Sequence, residues 1–274
     1  MNIKTGTISL FVLFLAACNA YEETTEQQKE EGKEIRFRIY NPETTRAESM
    51  TTFRVGDSIG IYAVKRMDKN SPALPTASGN QGHNAKWILT EEGWTPATPA
   101  DRIVWTPDGT PLDFYAYYPY QRNASDPTAI LLITAKDQRE GETFLHTDFL
   151  RAANTEGQTN GEVELHFNHL FSQVEITLSQ PPVDPDSWSV TMVNVLTTAT
   201  LHLGKGTLAT DTKGEVALHT TGNGRFAGIL PPQTIEAGTP FAHCENGPAM
   251  YIYTPSHAFT LSSGERQRIE LTLK

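Results

Sequence analysis

From Glu34 onward, apolar and polar residues alternate with a period of two. In "EIRFRIY" (34–40), Ile35, Phe37 and Ile39 fall on one side and Arg36, Arg38 and Tyr40 on the other, the pattern of a half-buried strand. The same reading predicts strands over Ser58–Val64, Lys86–Leu89, Arg102–Trp105, Leu112–Tyr118, Ile130–Thr134, Glu162–Phe167 and Phe171–Leu178. Beyond these it predicts Ser189–Val195, Thr200–Leu203, Glu215–His219, Arg225–Leu230, Met250–Tyr253, His257–Leu261 and Gln267–Leu273. Turn-forming groups such as Pro107-Asp108-Gly109 and Ser263-Gly264 separate them. No stretch carries an apolar stripe at helical spacing for more than about three turns. Many short strands without alternating helices predict an all-β chain of antiparallel β-sandwiches.

Two strands can be read residue by residue. In "LDFYAYYPY" (112–120) the apolar residues fall on both faces, with Phe114, Ala116 and Tyr118 on one side and Tyr115 and Tyr117 on the other. Core packing explains such a strand, and Pro119 ends it. In "GDSIGIYA" (56–63), Gly56-Asp57 is a turn, and Asp57 reads as an acceptor for turn amides. "SQPPVDPDSW" (179–188) holds three prolines in five residues, which a central strand does not tolerate. We therefore expect a domain boundary there, with an N-terminal domain over residues 35–180 and a C-terminal domain over 181–274.

The beginning of the chain changes the picture. One lysine, Lys4, precedes an apolar run from Ile8 to Ala17, too short for a permanent membrane helix, so residues 1–17 read as a signal peptide. Its end, Leu15-Ala16-Ala17-Cys18, resembles a bacterial lipobox, which implies cleavage before Cys18 and lipidation of that residue. Acyl chains would then anchor the protein to a membrane. Residues 18–34 are polar and acidic and read as a flexible tether. Cys244 is the one other cysteine, so with Cys18 lipidated no internal disulfide forms and the core alone must hold the fold. A net charge of −10 without a basic cluster argues against nucleic acid as a partner.

Candidate chemistry is sparse. His166 and His169 stand three apart but lack a third ligand at a diagnostic spacing, so no metal is expected. Cys244 reads as a small buried residue beside His243 on the opposite face. No nucleophile elbow, phosphate loop or zinc-protease signature occurs, so neither catalytic residues nor a cofactor are expected. Trp87, Trp94, Trp105 and the tyrosines of 115–120 offer one alternative, a sugar-stacking platform on a surface glycan-binding lipoprotein.

Six segments in order carry a wider resemblance: "FRVGDSIGIYAV" (53–64), "LDFYAYYPY" (112–120), "DFLRA" (148–152), "LHFNHLFSQVEITL" (165–178), "ILPPQTI" (229–235) and "FTLSSGERQRIELTL" (259–273). Together they resemble the fimbrillin family of Bacteroides-type bacteria. The resemblance implies two tandem transthyretin-like antiparallel β-sandwich domains and a pilus subunit with a role in adhesion. Such a subunit is made as an outer-membrane lipoprotein precursor and exported to the cell surface. It also implies that an arginine-specific protease cuts within "NPETTRAESM" (41–50), where Arg46 matches by position. The same arginine also reads as a solvated side chain in an exposed loop. Loss of the strand bearing Ile35, Phe37 and Ile39 would open an apolar groove between unpaired strand edges, which templates addition of a neighbouring subunit's strand. Head-to-tail repetition then builds a filament. The closing "RQRIELTLK" reads as the last strand of the C-terminal domain, with Ile269, Leu271 and Leu273 inward, and stalk, tip and anchor roles all remain open.

Overall fold

The computed structural model describes residues 32–41, 52–181 and 183–273. Its strands begin with β1 (Arg36–Tyr40), β2 (Ser58–Lys65), β3 (Gly82–Thr90), β4 (Gly93–Pro96), β5 (Leu112–Tyr118) and β6 (Ile130–Ile133). A short helix, α1 (Gly141–His146), precedes β7 (Leu150–Gln158), β8 (Glu162–His166) and β9 (Asn168–His169). The chain continues through β10 (Ser172–Ser179), β11 (Ser189–His202), β12 (Thr207–Ala217), β13 (His219–Gly222) and β14 (Arg225–Leu230). It closes with β15 (Gln233–Ile235), β16 (Ala242–Asn246), β17 (Ala249–Tyr253), β18 (Phe259–Leu261) and β19 (Arg266–Thr272).

Strand β5 organises the N-terminal part. All seven of its residues are buried, because it lies inside a six-stranded sheet ordered β4-β3-β2-β5-β7-β9 that is covered on both faces. Phe114, Ala116 and Tyr118 enter one core, with Ile59, Ile61 and Ala63 of β2. Tyr115 and Tyr117 enter another, with Tyr62 and Val64. The alternation read from the sequence is therefore a two-faced burial. Gly60 makes the crossing possible: a Cβ there would lie 2.3 Å from the Tyr117 ring, so no larger residue fits without a shift. A parallel ribbon of β1 and β8 covers the first of these faces.

The later strands form a second sandwich. One sheet runs β13-β14-β10-β19, and the other runs β12-β11-β16-β17 with β6 also paired to β11. Val174, Ile176, Val190, Met192, Phe226, Leu261 and Leu271 meet between them. A third core joins Tyr115, Tyr117 and Phe171 to Ala199, Leu201 and Ile229. The Pro-rich segment does separate β10 from β11, yet β6 on one side of it pairs with β11 on the other. From Gly32 onward the chain is one compact unit.

Several boundaries depart from the sequence reading. Residues 102–105 form no strand, because their one ladder contact is a bridge from Val104 to Glu34. The strands expected at Ser189–Val195 and Thr200–Leu203 are one, β11, which a bulge near Asn194 carries through at a φ of 58°. The strand expected at Glu215–His219 is split between the end of β12 and the start of β13. Most ladders are antiparallel, but β1 with β8 and β10 with β19 run parallel.

Candidate functional site: the first strand and its groove

Strand β1 is held on three sides. Along one edge it pairs in parallel with β8, from Arg36 opposite Glu162 to Tyr40 opposite His166. Along the other, Ile35 N donates to Ile103 O at 2.9 Å and Trp105 N donates to Lys33 O at 2.9 Å. Below it lies the core. Ile35 and Phe37 are 1 % and 8 % exposed, whereas Ile39 is only partly buried. Phe37 stands edge-on to Trp87 (4.9 Å) and Phe114 (5.6 Å). Val163 and Leu165 of β8 close the groove wall.

The outward face of β1 is polar and clasped to β8. Arg38 reaches Glu162 at 2.8 Å and Glu164 at 3.8 Å. Tyr40 donates to Glu164 at 3.1 Å and stacks on His166, with ring centroids 4.2 Å apart. The Tyr40 hydroxyl and the Glu162 carboxylate hold the Arg38 guanidinium above its ordinary pKa. Arg38, Glu162, Glu164 and His166 are exposed and Tyr40 is half-buried, so screening by solvent leaves most of the grip to the apolar side.

The flank of β1 facing β4 is open. A cleft of about 580 Å³ lies there, lined by Ile35, Phe37, Trp87, Trp94, Pro96 and Glu162. The chain leaves β1 at Asn41 and re-enters the described region at Thr52. Asn41 Oδ1 accepts from Phe53 N at 3.0 Å, so the two ends of this excursion meet. Phe53 then anchors the returning chain against Trp94, Tyr118 and Phe167. Arg46 and Cys18 lie outside the described residues.

The remaining candidates are dispersed. Asp57 accepts from Arg54 N at 2.7 Å and from the Tyr118 hydroxyl at 3.1 Å, which makes it a turn acceptor. His166 is on the surface, while His169 is buried with Nδ1 2.8 Å from Asp148 Oδ1, so the two do not share a site. Among the described residues no three His, Cys, Asp or Glu side chains are grouped to hold a metal. Cys244 is fully buried on β16, and burial pushes its thiol up to about 12, where it is a poor nucleophile. Trp87, Trp105, Tyr115 and Tyr117 are buried in cores and present no ring to a sugar.

The sequence marks β1, its inward residues and a strand over 102–105, which the structure reduces to the bridge beside β1, but it gives no sign of β4. The alternation in "EVELH" (162–166) marks β8 as a strand and carries no sign of its partner.

A sequence model of the fimbrillin-like family matches residues 45–274. Among individual proteins, the chain is similar to a Bacteroides uniformis protein named as a fimbrium subunit, Fim1C. The two are 28 % identical over 197 residues, covering 68 % of this chain and 61 % of that relative, so the chain spans about three fifths of it. A solved structure from Bacteroides uniformis, described as a cell adhesion protein, is similar in fold: TM-score 0.61, 23 % identity, covering 81 % of this chain and 88 % of that one. Another from Bacteroides ovatus, also described as a cell adhesion protein, gives a TM-score of 0.63 at 14 % identity over 88 % of this chain and 92 % of that one.

Proposed function

The chain belongs to the fimbrillin-like family, and from that premise we propose that it is a fimbrial subunit of the cell surface whose first strand is exchangeable. The observation that carries this reading is the seating of β1. It contributes Ile35 and Phe37 to the first core, yet among the described residues it belongs to no hairpin: its ladder partner β8 is parallel and far along the chain. A strand held this way can leave without unthreading its neighbours.

Departure has a stated cost. Uncovering each large apolar site costs about 1.5–3 kcal/mol, and the N–H and C=O groups of β8 that face β1 lose their partners. An apolar slot flanked by unpaired strand edges is what a strand from another subunit would fill. A cut after Arg46 supplies the departure, since it separates β1 from the rest of the domain. The same cut would free the subunit from a lipid on Cys18. A head-to-tail series of such exchanges forms an open filament. In this account the protein's partners are other fimbrial subunits, the outer membrane before processing, and an arginine-specific protease. Its role is structural and adhesive, not catalytic.

The test uses the lipid-free chain from Asn19 onward, incubated with an arginine-specific protease. The account expects loss of a short N-terminal piece and a ladder of oligomers that persists in mild detergent. Arg46→Ala should stay intact and form no detergent-resistant ladder under the same treatment. Clean removal of the first strand without oligomers would overturn strand exchange, and an Arg46→Ala protein that still polymerises would overturn the assigned cut.

A further inference from the structure

Strand β17 ends its sheet, beyond β16 in the order β12-β11-β16-β17, so among the described residues one of its edges has no strand beside it. Its sequence is "AMYIY" (249–253). Tyr251 and Tyr253 turn inward onto the second core, where the Tyr253 hydroxyl donates to Thr272 O at 2.7 Å. Met250 and Ile252 turn outward and are 55 % and 57 % exposed. No Asp, Glu, Lys or Arg occurs from Asn246 to Gly264.

This edge lacks the usual protection. Exposed strand edges are normally blunted by charged side chains. β19, the end strand of the facing sheet, shows the contrast: Arg268 and Glu270 are exposed on it, and Arg268 Nε bonds Glu175 at 3.1 Å. β12 likewise carries Asp211, Lys213 and Glu215. β17 carries no charge, so it does not select a partner by ion pairing.

We propose that the β17 edge is a self-association site, joining two copies of this chain by antiparallel strand pairing about Tyr251. The pattern is self-complementary: with a two-fold axis at Tyr251, Met250 of each copy lies opposite Ile252 of the other, on the same outer face. Pairing covers both exposed side chains of both copies and fuses two sheets into one. It also brings together uncharged segments of chains that otherwise carry a net charge of −10 and repel. Five residues on each side bury far less than the roughly 1,200–2,000 Å² of a stable interface, so the contact is weak and reversible. It shares no residue with the β1 groove, and so it links molecules sideways without competing for strand exchange.

Sedimentation equilibrium of the lipid-free chain across the micromolar to millimolar range tests this, on an Arg46→Ala background that keeps β1 in place. The expected result is a monomer–dimer equilibrium that Ile252→Lys or Met250→Lys weakens by at least about tenfold. Met67→Lys adds the same charge at another exposed apolar residue, 85 % accessible, and should leave the equilibrium unchanged. Hydrogen exchange at high concentration should protect the amides of Ala249–Tyr253. A chain with native β17 that stays monomeric throughout would overturn the proposal. So would a dimer indifferent to both β17 variants, or one whose protection lies instead on β6, where Leu131 and Ile133 are also exposed.

Discussion

Phe37 of β1 meets the indole of Trp87 of β3 edge to face, with ring centroids 4.9 Å apart and planes at 83°. These residues are not ladder neighbours. Their contact crosses the core, so the first strand is fastened by what it buries as well as by its backbone. That division is why one strand can be both stable in place and replaceable by another of the same pattern.

Phe37→Ala should therefore destabilise the intact chain by about 3–5 kcal/mol, the cost of deleting a buried aromatic and leaving a cavity. Arg38→Ala, which removes solvent-screened contacts to Glu162, Glu164 and Tyr40, should leave the unfolding midpoint almost unchanged. Urea unfolding midpoints measure both. Equal effects from the two substitutions would show that the apolar side does not dominate the grip.

Arg66 and Asp113 form a buried pair that ties the connection after β2 to β5. Arg66 Nε donates to Asp113 Oδ2 at 3.0 Å and Nη2 to Oδ1 at 2.5 Å, while Ala73 N donates to Oδ2 at 2.7 Å. Asp113 is fully buried, so Asp113→Ala strands a guanidinium that has lost its counter-charge. The expected loss is about 3–5 kcal/mol, read from the same unfolding midpoints. A loss below about 1 kcal/mol would mean that water, together with the bond Arg66 already donates to Thr155 O, satisfies the guanidinium at little cost.

Alkaline pH should unfold the protein through its buried acids. Burial raises the Cys244 thiol from 9.0 to about 12 and the Tyr115 phenol from 10.0 to about 12. Both stay protonated in the folded chain while the unfolded chain loses the protons. Their contribution is complete below the unfolded values and is lost as pH rises through the folded ones. The thiol accounts for up to about 1.4 kcal/mol per pH unit over that window. Cys244→Ala should make the fall in stability between pH 9 and 12 shallower by that amount. Identical slopes for the two proteins would place the thiol in contact with water.

What was legible in the sequence follows from where the cause of each element lies. The two-faced burial of β5 is written in its own residues, because each side chain meets a different core. The same holds for Ile35 and Phe37, and for Ile269, Leu271 and Leu273 of the closing strand, which pack on the second core. β7 was not legible: its second half, Asn154 to Gln158, is polar, and the neighbouring β5 backbone makes it a strand. The parallel pairing of β1 with β8 leaves no local mark either, since its partners are more than a hundred residues apart. The third core was hidden for a related reason. Its residues on β2, β5 and β11 look like ordinary strand positions until the sheets are brought together.

The most direct test of the exchangeable first strand is a competition with that strand itself. The lipid-free chain is cut with the arginine-specific protease while a synthetic peptide of residues 33–41 carrying Arg36→Lys and Arg38→Lys, which the protease does not cleave, is present in excess. The account predicts that the peptide occupies the vacated groove and suppresses the oligomer ladder in proportion to its concentration, and that the same peptide with Phe37→Asp does neither. A ladder that forms unchanged in the presence of the peptide that keeps Phe37 would contradict it.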